Sequence, residues 1–210
     1  MNSVKGASAN TGRTNAYRRT LKWLANLCLL VLTLISTSYL YWVYADDRFL
    51  TVVENNVFRT AEMPPDELVE FVERHHVRTV IDFRTTANRV HAEEQALTSN
   101  GVRSINIPSQ LVPSDEAVNT FLDVMGDVSN YPILFHCEHG IGRSSLFEAI
   151  YRIEFLGWFT EDARKSARLR SLMGSFETED VRGQYILNYQ PERRHSLQAA
   201  VGAISEGATN

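Results

Sequence analysis

A cysteine and an arginine, Cys137 and Arg143, are separated by five residues, two of which are glycines. The apolar run Ile133–His136 that precedes the cysteine predicts a buried strand, and the apolar spacing within Ser144–Leu156 predicts a helix. The segment between them is therefore a short loop with a thiol near one end and a guanidinium at the other.

A loop of this composition suits a tetrahedral anion. Gly140 and Gly142 permit backbone angles that turn successive N–H groups inward, and the N-terminus of the following helix adds positive potential. Arg143 can donate two parallel hydrogen bonds to a phosphoryl group, which lysine cannot do. The same potential lowers a thiol pKa from about 8.5 to roughly 3.5–7.5. The residue pattern thus predicts that Cys137 is a nucleophile within a phosphate-binding loop.

The segment His136–Ser145 resembles the HC-x5-R-[ST] signature of cysteine-dependent tyrosine and dual-specificity phosphatases. The similarity extends more weakly over residues 55–167. Phe58–Ala61 is similar to the YRSAQP start of exported bacterial dual-specificity-like tyrosine phosphatases, and Val80–Arg84 and Gly157-Trp158 also match. Two positions depart from the family pattern: Ser145 replaces the usual glycine, and Glu138 places an acid inside an anion-binding loop.

The resemblance implies roles for these residues. Cys137 attacks phosphorus, and Arg143 holds the phosphoryl oxygens. His136 stiffens the loop, and Ser144 stabilises the thiolate. We expect His139 to face solvent. The implied substrate-binding residues are Glu138, His139, Gly140, Ile141, Gly142, Arg143 and Ser144. The resemblance implies neither a metal nor a cofactor, and we expect none.

The general acid is less clearly marked than the nucleophile. In the family it is usually an aspartate on a mobile loop before the cysteine. The corresponding stretch here, Pro108–Asp115, offers Asp115, which could equally be a first-turn acid of the next helix. Glu116 is the next nearest acid, and Glu138 is a rival within the loop itself. We assign Asp115 provisionally. Asp82 and Arg84 are expected to form a structural ion pair or to hydrogen-bond the loop.

Charge is unevenly distributed along the 210 residues. Residues 1–44 carry five basic side chains and no acid, so the remainder carries −9 to give the net charge of −4. An acidic catalytic portion excludes nucleic acid as an expected partner, because such a partner requires a basic face. The two cysteines, Cys28 and Cys137, allow no disulfide framework in the folded domain.

The N-terminal region contains 22 uncharged residues, Trp23–Tyr44, with tyrosines and a tryptophan at the far end. Their length and the aromatic cluster predict a transmembrane helix, and the preceding basic residues predict a cytoplasmic N-terminus. We therefore expect a basic cytoplasmic segment (1–22), an anchor (23–44), a phosphatase domain (49–190) and a polar tail (191–210). The catalytic domain would lie outside the cytoplasm, on the periplasmic side in a Gram-negative bacterium. The alternative is a signal peptide cleaved after Ala45, which would release a periplasmic protein.

Strand-like and helix-like segments alternate through the phosphatase domain. The expected strands are Val57–Thr60, Val77–Phe83, Arg103–Ile107 and Ile133–His136. This alternation predicts an α/β fold, and the resemblance makes it a small, mostly parallel central sheet flanked by helices, preceded by one transmembrane helix.

The expected activity is hydrolysis of a phosphomonoester through a phosphocysteine, with a phosphotyrosine protein (or a phosphoserine or phosphothreonine protein) as substrate. Three alternatives remain: a pseudophosphatase that binds phosphoproteins, a phosphoinositide or inositol phosphatase, and sulfur transfer or arsenate reduction. The absence of a second suitably placed cysteine disfavours reduction by a dithiol relay.

Overall fold

A five-stranded sheet forms the centre of the catalytic portion. The strands are β1 Leu50–Val53, β2 Val57–Ala61, β3 Thr79–Asp82, β4 Arg103–Asn106 and β5 Ile133–Cys137. In sheet order β1-β2-β5-β3-β4, only β1 is antiparallel to its neighbour, and the other pairings are parallel. The predicted α/β fold with a mostly parallel sheet is confirmed, whereas the sequence analysis did not predict the edge strand β1.

Of the three inner strands, β3 and β5 are buried along their whole length. A strand covered on both faces must be apolar on both, which is why these segments read as continuous apolar runs rather than as alternating patterns. The register pairs Ala61 and Asp82 with the last two residues of β5, Cys137 and His136 respectively. The carboxyl ends of β2, β3 and β5 therefore meet at one edge, where open α/β sheets bind ligands.

Helices cover both faces of this sheet. They are α2 Pro65–Arg74, α3 Ala87–Ser99, α4 Asp115–Gly126, α5 Arg143–Leu156, α6 Thr160–Arg170 and α7 Val181–Asn188, with a 3-10 turn at Val128–Asn130. Local signals set several of their ends: Pro65 and two acids open α2, the Ser114 hydroxyl caps α4, and Gly157 ends α5 with a φ of 71°. The element expected near Tyr185–Leu187 is α7.

Alternate residues of β5 face two different layers of the core. Phe135 and Cys137 belong to the layer formed with α4, α5 and α6, and Leu134 belongs to the layer formed with α2 and α3. Helix α5 is buried almost all round instead of on a single apolar face, so Glu148, Arg152 and Glu154 lie in the interior. Buried charges of this kind require partners, and these partners matter for the site.

The computed structural model describes residues 9–44, 48–171 and 175–191. By internal contacts the chain divides into residues 1–46 and 47–210. The described part of the first unit is one helix, α1, spanning Ala9–Tyr44, and it begins well before the expected Trp23. Its stretch Tyr17–Trp42, with mean hydropathy 1.7, is long and apolar enough to cross a membrane, a test that a signal sequence also passes.

Some expectations fall outside the described residues. The polar tail, apart from its first residue Pro191, is one, and the cleavage site after Ala45 is another. The domain boundaries drawn from the sequence remain predictions.

Candidate active site

The loop between β5 and α5 begins at the last residue of the strand, Cys137, and ends at the first residue of the helix, Arg143. At its centre Gly140 has a φ of +65°, a conformation that side chains other than hydrogen disfavour. A β-carbon there would lie 2.8 Å from the backbone nitrogen of Ala61, at the end of β2. The turn of the loop therefore depends on this glycine and on the neighbouring strand.

The thiol of Cys137 lies at the base of the loop and is 2% exposed. Its Sγ is 3.3 Å from the hydroxyl oxygen of Ser144, and the backbone N–H groups of Ser144 and Gly140 also point to it. Burial alone raises the pKa of this thiol. The hydrogen bonds from Ser144 and Gly140, with the charge of Arg143, outweigh that effect and lower the pKa. The predicted proximity of Ser144 to the sulfur is confirmed.

Arg143 is positioned by the end of β3. Its Nη1 donates to the carbonyl oxygen of Phe83 at 2.9 Å, and its Nη2 lies 3.7 Å from Oε2 of Glu138. The side chain is only 17% exposed. Phe83, the residue that follows β3, thus holds the guanidinium at the loop that also carries the thiol.

Glu138, the unexpected acid in the loop, is tied to α3. Its Oε1 accepts a hydrogen bond from Arg89 Nη1 at 3.0 Å, and Arg89 also pairs with Glu62. The hydrogen bond from Arg89 is the main cause that holds the pKa of Glu138 below its usual value. A carboxylate that stays ionised is a poor proton donor, so this geometry disfavours Glu138 as the general acid.

His136 faces the opposite side of β5 from the thiol. Its Nε2 is 2.8 Å from Oε1 of Glu93, a residue of α3 that no sequence signal marked. Burial by itself lowers the pKa of this imidazole, but the hydrogen bond and charge of Glu93 outweigh it and raise the pKa. His136 therefore connects β5 to α3. Its supporting role, which the resemblance implies, stays a prediction.

The predicted ion pair between Asp82 and Arg84 is confirmed, with Arg84 Nε 3.0 Å from each carboxylate oxygen. Asp82, Glu93 and His136 bring three possible metal-ligand atoms within 4.8 Å of one another. Arg84 also pairs with Glu93, so a guanidinium already supplies the positive charge that these carboxylates require. The geometry indicates a structural cluster rather than a metal site.

The structure places Asp115 in a groove between α4 and α7. It is the first residue of α4, and it lines a groove of about 670 Å³ together with Val112, Leu122 and residues of α7 such as Tyr185. No residue of the loop from 137 to 144 is among those that line this groove. Glu116 and His139 are exposed, as was expected for His139.

Several residues at the site were not recognised from the sequence. Arg48 donates to the carbonyl oxygen of His139, and Arg182 Nη1 lies 3.7 Å from where a β-carbon of Gly142 would be. Arg59 is completely buried beside α5, where it donates to the hydroxyl of Ser145. Of these, only Arg59 had a signal, because an arginine within an apolar strand must have a buried partner.

Known structures share this arrangement of sheet and helices. The core catalytic domain of the PP-IP phosphatase SIW14 from S. cerevisiae superposes with a TM-score of 0.55 at 15% identity, over 77% of this chain and 92% of that one. A mutant form of Tk-PTP superposes with a TM-score of 0.55 at 17% identity, over 74% of this chain and 97% of that one. At these identities the likeness shows the fold alone.

Sequence comparison identifies the family. The dual specificity protein phosphatase TpbA from Pseudomonas aeruginosa is 28% identical over 144 residues, which cover 66% of this chain and 61% of the length of TpbA. The family model described as "DSP-PTPase phosphatase fused to NAD+ Kinase" matches residues 37–182, well over half of the chain. The chain therefore belongs to this family of DSP-PTPase phosphatases.

Proposed function

We propose that this protein hydrolyses phosphomonoesters through a phosphocysteine on Cys137. The observation that carries the proposal is the environment of the thiol: a hydroxyl at 3.3 Å and two backbone N–H groups lower its pKa in a loop that ends in Arg143. A thiolate at the N-terminus of a helix is both nucleophilic and close to where a phosphate would be bound.

In the first step the Cys137 thiolate attacks phosphorus. The S–P bond forms as the bond from phosphorus to the leaving oxygen breaks, and that oxygen takes a proton from a general acid. Arg143 and the loop N–H groups stabilise the negative charge on the other phosphoryl oxygens. We keep Asp115 as the proposed acid, which requires the segment before α4 to move when substrate binds.

In the second step water attacks the phosphocysteine. The new P–O bond forms, the S–P bond breaks to regenerate the thiolate, and the water gives a proton to the carboxylate left by the first step. Ser144 stabilises the departing sulfur through the hydrogen bond that it already makes. Inorganic phosphate then leaves the loop.

A phosphotyrosine protein is the substrate that we propose. Glu138 places a carboxylate 3.7 Å from Arg143, which reduces the positive charge of the loop compared with one that lacks an acid. A polyanion such as an inositol polyphosphate would meet repulsion there, whereas a single aryl phosphate would be less affected. The similarity to TpbA, which is named as a dual specificity protein phosphatase, supports a protein substrate.

Turnover of p-nitrophenyl phosphate by the full chain tests the proposal. Cys137→Ser should abolish turnover but still bind phosphate, because the loop remains intact. Arg143→Lys should also lose most activity, since a point charge does not replace two parallel hydrogen bonds. Activity should persist in EDTA. Near-normal turnover by Cys137→Ser would show that the mechanism is wrong.

One observation favours a second function, a pseudophosphatase that binds phosphoproteins without hydrolysing them. Asp115 lines the groove between α4 and α7, which no residue of the loop from 137 to 144 lines, and Arg89 holds Glu138 ionised. Binding of a phosphopeptide with no turnover of p-nitrophenyl phosphate would support this alternative.

We also propose that α1 anchors the protein with its catalytic portion outside the cytoplasm. The support is the apolar stretch Tyr17–Trp42, with a charge of +5 over residues 1–44. A reporter fused after Asn210 should be active outside the cytoplasm, and the full chain should sediment with membranes. A mature form that starts at Asp46 would favour the signal-peptide alternative, whereas a reporter active only in the cytoplasm would contradict both.

A further inference from the structure

Arg59, on β2, is one of the largest fully buried side chains among the described residues. The parallel register of β2 and β5 pairs Arg59 with Phe135 and Ala61 with Cys137, so Arg59 lies two residues before the strand end that contacts the loop. Its guanidinium donates to the hydroxyl of Ser145, in the first turn of α5. Arg59 thus links β2, the neighbour of the strand that ends in Cys137, to the first turn of α5.

The charges around Arg59 do not balance. Its Nη1 lies 3.1 Å from Oε2 of Glu148, but the other oxygen of Glu148 accepts hydrogen bonds from both Arg152 Nε and Arg170 Nη1, each at 2.7 Å. In this group of described residues one carboxylate serves three guanidinium groups. A local excess of positive charge therefore lies next to the N-terminal turn of α5.

Two further features show that Glu148 does not fully compensate Arg59. The Nε and Nη2 atoms of Arg59 have no hydrogen-bond partner among the described residues. Burial, together with the positive charges of Arg170 and Arg152, lowers the pKa of Arg59 by more than the negative charges of Glu148 and of ionised Cys137 raise it. An uncompensated buried cation is costly, so a nearby anion stabilises it.

We infer that Arg59 is a positioning residue that stabilises the Cys137 thiolate from the β2 side of the loop. The hydrogen bond to Ser145 fixes the guanidinium of Arg59 against α5. Because Glu148 is shared among three guanidinium groups, it compensates only part of the positive charge of Arg59, and the rest can stabilise the sulfur. The serine in place of the usual family glycine has a purpose in this arrangement, because a glycine could not accept the hydrogen bond from Arg59. The inference rests on the proposed role of Cys137 as the nucleophile.

The other charged groups near Cys137 define what a test must separate. Helix α5 contributes Arg143, whose charge also lowers the pKa of the thiol. The loop itself contributes Glu138, which is paired with Arg89 of α3. On the opposite face of β5, His136 is paired with Glu93 of α3. Asp82, at the end of β3, forms an ion pair with Arg84, which follows the strand. A change confined to Arg59 or Glu148 leaves all of these groups in place.

The rate of alkylation by iodoacetamide as a function of pH reports the thiolate directly. The full chain is used, and mass spectrometry of the peptide that contains Cys137 separates its signal from that of Cys28. We expect Arg59→Met to move the midpoint of alkylation upward by about one pH unit, which is about tenfold less thiolate below the midpoint. Arg59→Lys should recover part of this shift, because it keeps the charge.

Glu148→Gln is the decisive comparison, because it makes the site more positive while it also removes a buried partner. The inference requires a downward shift of the midpoint, opposite in sign to that of Arg59→Met. A purely structural role would move both variants in the same direction, so parallel shifts, or no shift in either variant, would overturn the inference. If Arg59→Met does not fold, the signs for Glu148→Gln and Arg59→Lys still decide.

The same measurement keeps this inference separate from the proposed function. A wild-type midpoint at or above about 8.5 would contradict an activated Cys137, and hence the proposed mechanism. A low wild-type midpoint that Arg59→Met and Glu148→Gln leave unchanged would contradict only the role of Arg59.

Discussion

Gly140 lies so close to Ala61 that a β-carbon on the glycine would be 2.8 Å from the backbone nitrogen of the alanine. The contact joins the centre of the loop to the end of β2, and Gly140 also has a φ of +65°. Two independent constraints, a left-handed backbone and a close approach, therefore require glycine at this position. The costs of the two constraints can be separated, because Gly101 has the left-handed backbone but no close neighbour.

Gly140→Ala should destabilise the protein more than Gly101→Ala does. Gly101 has a φ of +74° and nothing within 4 Å of its β-carbon position, so Gly101→Ala measures the backbone cost alone, about 1–2 kcal/mol. The clash with Ala61 should add about 1–3 kcal/mol for Gly140→Ala. Thermal unfolding of both variants provides the measurement. Equal losses of stability would show that the contact with Ala61 relaxes without cost.

Ser144→Ala should shift the rising limb of the pH profile of kcat/KM to higher pH. The Ser144 hydroxyl is one of the causes that lower the pKa of Cys137, so its removal raises that pKa and leaves less thiolate at low pH. A shift of about one unit would reduce the rate about tenfold below the midpoint and leave it nearly unchanged well above it. Ser144→Thr, which keeps a hydroxyl, is the matched control. If the rising limb of the kcat/KM profile of Ser144→Ala lies at the same pH as that of the wild type, the hydroxyl does not stabilise the thiolate.

The sequence could predict the loop and the sheet because both are encoded locally. Cys137 and Arg143 lie in one short segment between a strand and a helix, and the buried runs of β3 and β5 mark the parallel sheet. The partners Glu93 and Glu148 could not be predicted, because each is an acid on a helix, where most acids face solvent. Only their tertiary contacts, with His136 and Arg59 respectively, distinguish them.

His136→Gln should cost stability in a way that depends on pH. The pKa of His136 is raised in the folded protein, chiefly because the contribution of Glu93 exceeds that of burial. The stabilisation from the protonated imidazole is therefore fully present below the unfolded pKa of about 6.5 and is lost as pH rises through the folded pKa. The difference in free energy of unfolding between wild type and variant should be largest near pH 6, at about 3–5 kcal/mol, and should decrease at higher pH.

His91→Gln is the control for that experiment. His91 is 78% exposed at its side chain and is 3.8 Å from Glu94, so its replacement should change stability little at any pH. Urea unfolding of the full chain in a nonionic detergent, at several pH values, gives both curves. A difference for His136→Gln that grows with pH would contradict the raised pKa.

Glu138→Gln should strengthen the binding of phosphate. The change removes a negative charge that lies 3.7 Å from Arg143, so an anion in the loop no longer competes with a carboxylate for the guanidinium. We expect the inhibition constant of inorganic phosphate to fall by about tenfold. Glu70→Gln removes the same charge from an exposed pair with Arg74 on α2 and serves as the control. Equal inhibition constants for Glu138→Gln and wild type would show that Glu138 does not oppose anion binding.

The general acid is tested by Asp115→Asn. Asp115 lines the groove with Tyr185, so it can serve as the acid only if the segment Ser109–Ser114 moves to bring its carboxyl within hydrogen-bond reach of the leaving oxygen. The wild-type profile should then be bell-shaped, and Asp115→Asn should flatten its falling limb and lower the rate by about 10²–10⁴-fold. The loss should be smaller for leaving groups of low pKa, which need no proton. Glu116→Gln, at the neighbouring exposed acid, should retain the falling limb of the pH profile. Glu138→Gln should also retain it, because Arg89 holds Glu138 ionised. If Glu138→Gln removes the limb and Asp115→Asn does not, the proton comes from the loop itself, and the ion pair with Arg89 must open during turnover.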